Sequence, residues 1–215
     1  GPISIAVPDN TANGVTSSIN VSGIPVGATV SSISVALNMS HSYPGDMIFN
    51  LKSPASAKVL NLYKYNGGTA TGPVSLTPAS GWYNAQINNT ATTAFTAVGN
   101  PYSYGITTPT GPFRPDALNT PVTPLGFPFD NPVGSVSDAA NFSEIWGTPA
   151  TPANGNWTLT MADGGPGDLG TLTGWSITIT YGVPSTGIWS PTTGLYTDPA
   201  ATVPYTGTPA QTVYA

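Results

Sequence analysis

The sequence predicts an all-β protein, a β-sandwich or jelly roll of two antiparallel sheets, followed by a short C-terminal appendage. The first observation is strict alternation. Trp157, Leu159 and Met161 alternate with Thr158 and Thr160, and Trp175, Ile177, Ile179 and Tyr181 alternate with Ser176, Thr178 and Thr180. Each run therefore has one apolar and one polar face, and two such strands need a second sheet to bury the apolar one. The second observation is composition. The 215 residues include 25 Gly and 23 Pro, which break helices and build turns. The third is that 39% hydrophobic and 10% aromatic content, arranged with period two, argues for a folded chain rather than a disordered one.

In order along the chain, Ile3-Ser-Ile-Ala-Val7 alternates and is stopped by Pro8-Asp9-Asn10, and Val15 to Val21 offers another short strand. These two form a hairpin or a pair of edge strands. Thr29 to Leu37, with Val30, Ile33, Val35 and Leu37 apolar, and Met47-Ile-Phe-Asn-Leu51 read as central strands on either side of the bend Ser42-Tyr-Pro-Gly-Asp46. Val59 to Tyr63 is a further strand before Asn66-Gly67-Gly68. Residues 69–135 read as a long, Pro-rich and mostly irregular insertion whose aromatics (Trp82, Tyr83, Phe95, Phe113, Phe127, Phe129) pack back onto the sandwich, with short strands that the pattern does not place. Asp138 to Glu144 is one helical turn or a loop that drops Phe142 into the core. The alternation ends at Tyr181-Gly182, so the expected division is a sandwich over 1–182 and a linker or partial β repeat over 183–215.

Composition also excludes function classes. Four basic residues stand against nine acidic ones, a net charge of −5, so no positive stripe exists to meet nucleic acid or anionic lipid. No apolar run approaches the ~20 residues that span a bilayer. The absence of cysteine removes disulfides and thiol chemistry, and the Ser-, Thr- and Asn-rich polar surface suits an exported protein, secreted or at the cell surface. The start at Gly1-Pro2, without Met or leader, suggests a piece of something longer.

Three segments occur in a meaningful order: Ile5 to Asp9; Val30 through His41, Gly45-Asp46, Leu51 and Ser53-Pro54; and Gly155, Trp157, Leu159, Asp163, Gly170, Leu172 and Trp175. Together they resemble a proprotein convertase P domain over residues 3–182. Met47 departs from that family's Leu, Ala55-Ser56 from its Gly-Thr, and the 69–135 insertion is longer than usual. The resemblance implies a non-catalytic accessory domain that stabilises or positions its neighbour, often a subtilisin-like serine protease. The segment from Trp189 to Ala215 resembles short repeats of large surface proteins from Bacteroidetes-type bacteria.

No catalytic triad can be assembled from this chain, because His41 is the sole histidine and no Ser lies in a Gly-x-Ser-x-Gly context. His41 reads as a structural, hydrogen-bonded residue in the bend near Tyr43 and Asp46. Asp46, Asp163 and Asp168 are the candidate metal ligands, since hard oxygen donors in glycine-rich loops suit calcium. The alternative is that they cap turns by accepting backbone N–H bonds. Trp157 and Trp175 read as core. The loop aromatics Trp82, Tyr83, Tyr102, Tyr104 and Trp189 fold back or stack on a glycan or partner protein, so an adhesive or carbohydrate-binding module using the 69–135 insertion is the competing reading.

Overall fold

A computed structural model describes residues 3–11, 13–41, 46–63, 81–92, 111–115, 139, 141–183, 191–207 and 212–213. Eight strands follow in order: β1 (Ile5–Val7), β2 (Val15–Val21), β3 (Thr29–His41), β4 (Met47–Lys52), β5 (Val59–Tyr63), β6 (Gly81–Asn88), β7 (Gly155–Asp163) and β8 (Gly170–Gly182), with one 3₁₀ turn, η1 (Phe142–Glu144), before β7. Among the described residues there is no α-helix, and no helix long and apolar enough to cross a membrane. The chain divides after Gly182 into two compact units.

The first unit is two four-stranded antiparallel sheets, in the orders β1-β8-β3-β6 and β2-β7-β4-β5. Strands pair from the outside in, β1 with β8, β2 with β7, β3 with β6 and β4 with β5. That is one long antiparallel hairpin wound on itself, the jelly-roll connectivity. The winding closes when β3 also pairs with β8 and β4 with β7. The expected all-β sandwich is therefore what the chain forms.

The core is the phase of the alternation made physical. Ile33, Val35, Leu37 and Met39 of β3 and Trp157, Leu159 and Met161 of β7 are all completely buried, facing one another between the sheets with Phe49 and Leu51 of β4. The Trp157 indole N–H donates to the Ala153 carbonyl at 3.0 Å, so its polar edge is satisfied inside. Trp175 is half-buried against the core, and its N–H donates to the Ser17 hydroxyl across the two sheets.

The unplaced strand of the insertion is β6. Trp82 and Tyr83 belong to it rather than to a loop, and its register against β3 slips between Leu37 and Met39 at a bulge. Phe113 folds back as expected. It is buried, and it exchanges backbone hydrogen bonds with Gln86 and Asn88 at 2.8 Å each. Phe142 is dropped fully into the core by η1, which Asn141 caps at its start. Phe95, Tyr102, Tyr104, Phe127, Phe129 and Trp189, with Tyr43 and Gly45 of the bend, lie outside the described residues.

Candidate functional site

Strand register gathers the polar candidates at one end of the sandwich. Val7 and His41 both stand opposite Gly170, and Met47 stands opposite Asp163. The connections β1–β2, β3–β4 and β7–β8 therefore leave the sheets together. His41 is not in the bend but is the last residue of β3, because the strand runs four residues beyond Leu37.

There the His41 Nε2 lies 3.2 Å from Asp163 Oδ2, with both side chains wholly buried. The other Asp163 oxygen accepts the Gly165 N–H at 3.0 Å, and its backbone carbonyl accepts the Thr11 N–H at 3.1 Å. One residue thus ties β7 to β3 and to both neighbouring connections. Asp46 joins through its backbone, accepting the Gly164 N–H at 2.8 Å. The sequence does not single out Asp9, yet its carboxylate accepts the Gly167 N–H with both oxygens at 3.0 Å and reaches the Asp168 N–H at 3.4 Å. It staples the β1–β2 connection to the glycine-rich loop.

Two glycines at this end, Gly165 in the loop and Gly170 at the start of β8, are required by close approach. A Cβ on Gly165 would stand 1.8 Å from the Asp46 carboxylate, and one on Gly170 would stand 2.1 Å from the His41 ring. Neither space can hold a methyl group.

Electrostatically the end is crowded with like charge. Burial, then the charges of Asp163 and Asp168, push the Asp46 carboxyl up to about 6; His41 pulls it down less, and Asp9 adds a further push. Asp163 and Asp168 are accordingly close enough to act on Asp46. Among the described residues, however, no three His, Cys, Asp or Glu side chains are arranged to hold a metal ion. One Asp163 oxygen caps the Gly165 N–H, while the other faces His41 Nε2 at 3.2 Å and makes no hydrogen bond among the described residues. A cation using that oxygen would compete with His41 for it.

No family model matches the chain. Over 94 residues it is 34% identical to leupeptin-inactivating enzyme 1 of Streptomyces exfoliatus, a match that takes in 40% of this chain and 21% of that enzyme. The similarity is thus to about a fifth of a longer protein.

Proposed function

We propose that this chain is a non-catalytic companion module of a larger exported protein, whose sandwich stabilises or positions a neighbouring domain, a subtilisin-like protease domain being the neighbour that the P-domain resemblance suggests. The observation that carries this reading is the open side of the sandwich. On the β1 side, β8 is paired only through Thr173, so Gly174 to Gly182 has no strand partner there among the described residues, and β2 is likewise an edge. Between these edges Trp175, Ile177 and Ile179 are only half-buried.

Soluble domains ordinarily protect long edges with lysine, proline or a covering element. Residues 171–182 and 15–21 contain no charge and no proline. A neighbour that covers this side removes apolar surface from water on both partners, and each then raises the folded population of the other. Similarity to a fifth of a longer enzyme is compatible with an accessory segment. Calorimetry on the parent polypeptide, with and without residues 1–182, tests the reading. The two parts should melt together and at a higher temperature joined than apart; independent transitions at unchanged temperatures would overturn it.

Calcium is a proposal for the loop end. Crowding that raises Asp46 is what a divalent cation would relieve, with Asp46 and Asp168 as its ligands, while the engagement of Asp163 speaks against that residue. Bound calcium raises the melting temperature by mass action. Superimposable melting curves in millimolar calcium and in excess EDTA would remove it.

A further inference from the structure

We infer that the outer face of the second sheet carries a shallow binding site for an acidic sugar, a ring bearing both hydroxyls and a carboxylate. The face holds a hollow of about 350 Å³, at the small end of the range of ligand pockets. Its shape follows from register. Thr16 stands opposite Thr160, Thr160 opposite Asn50, Ser18 and Lys52 both opposite Thr158, and Val59 opposite Lys52, so all seven side chains share one side of four adjacent strands. Short side chains at the centre, flanked by the long one of Lys52, leave the depression.

Two of its groups lack the partners that a purely structural role would give them. Thr160 is 4% exposed and lines the hollow, yet its hydroxyl makes no hydrogen bond among the described residues. Its hydroxyl opens into the hollow, where it is free to donate to and accept from a ligand. Lys52 at the rim makes no ion pair among the described residues, whereas Lys58 is paired with Glu144. Among the described residues no Asp or Glu lines the hollow, although the protein as a whole carries a net charge of −5.

The lining specifies the ligand by class. Hydroxyls of Thr16, Thr160 and the Ser18–Thr158 pair, the last two 3.0 Å apart, both donate and accept, which matches a ring of hydroxyls. An ammonium only donates, and it favours an anionic oxygen. Val59 supplies one small apolar contact, and among the described residues no aromatic ring lines the site, so binding is in the weak, millimolar regime of a single sugar unit. The companion reading does not depend on this site: a module that binds no sugar would still raise its neighbour's melting temperature.

Amide chemical-shift titration of the isotope-labelled chain with glucuronate, glucose and acetate tests the inference. Glucuronate is expected to move Thr16, Ser18, Thr158 and Thr160 saturably, with glucose and acetate each weaker. Lys52→Gln should reduce glucuronate affinity about fivefold, to that of glucose, the upper end of what an exposed charge contact contributes. Thr160→Val should weaken both sugars, with amide shifts away from the hollow unchanged in both variants. Absence of any saturable shift at tens of millimolar, equal response to glucose and glucuronate, or an undiminished response in Lys52→Gln would each overturn it.

Discussion

Aspartate organises a turn at two places in this chain, and the two carboxylates respond to their surroundings in opposite directions. In the second unit Asp198 is partly exposed and accepts the backbone N–H groups of Thr202 and Val203 and the Thr202 hydroxyl at 2.7–3.1 Å. Those donors, Val203 first, hold its carboxyl below the usual carboxylate range. At the loop end of the sandwich Asp46 has no such donors on its carboxylate among the described residues, is buried, and faces Asp163, Asp168 and Asp9, which together outweigh His41. The comparison teaches that a glycine-rich acidic loop is not one environment. Whether a carboxylate is stabilised depends on which residue holds the backbone donors, and here Asp163 and Asp9 hold them while Asp46 bears the crowding.

The largest effect should come from the residue that holds most. Asp163→Ala leaves His41 buried without its carboxylate and removes the cap on the Gly165 N–H, while the backbone bond to Thr11 stays. Removing one member of a buried pair costs about 3–5 kcal/mol, which denaturant unfolding would register as a large fall in midpoint at unchanged slope. A loss under about 1 kcal/mol would show that the pair is not structural. Next in size is Gly165→Ala. The added methyl group must push Asp46 aside, and overpacking of this kind costs about 1–3 kcal/mol; an unchanged melting temperature would mean the loop relaxes freely.

Much of this end is legible in the alternation once it is followed to the strand tips. His41 continues the series Ile33, Val35, Leu37, Met39, and Asp163 continues Trp157, Leu159, Met161. Both are therefore inward-facing at adjacent strand ends, and two inward polar residues of opposite character are candidates for each other. Reading β3 as ending at Leu37 hides this. Asp9 is opaque for a different reason: it follows Pro8 outside any periodic segment, and only tertiary contact with the loop gives it a role. β6 escapes recognition because Ala85 and Ile87, the buried residues of its described second half, include one too small to mark a face, amid Asn and Gln. Winding a hairpin of eight strands demands a partner for β3 there; local pattern does not.

Smaller, but more diagnostic, is the pH response of Asp46→Asn. The folded-state carboxyl is raised to about 6, above its value in an unfolded chain, so folding takes up a proton between those values. The strain on ionised Asp46 is fully present above about pH 6 and is relieved as pH falls toward 4. Asp46→Asn should therefore be more stable than the parent by about 1–2 kcal/mol at pH 8, allowing for the partial solvation of the site, with the difference shrinking as pH falls through the same window. A difference that stays constant from pH 8 to pH 4 would mean that neither burial nor the neighbouring carboxylates act on this group.

The smallest effect belongs to Asp198, and it runs the other way. A lowered pKa means that the stabilisation is present at neutral pH and above the ordinary carboxylate value, and is lost as pH falls through the folded-state value. Because Asp198 is open to solvent and bonds only within its own turn, the consequence is local: Asp198→Ala should release the Thr202 and Val203 amides, seen as faster hydrogen exchange at those two residues at pH 7. The same acceleration should appear in the parent protein on acidification, measured against each amide's intrinsic exchange rate, while the amides around Asp46 hold or gain protection over the same range. If both turns lost protection together on acidification, the two carboxylates would share one environment after all, and the contrast between donor-rich and donor-poor aspartates would fail.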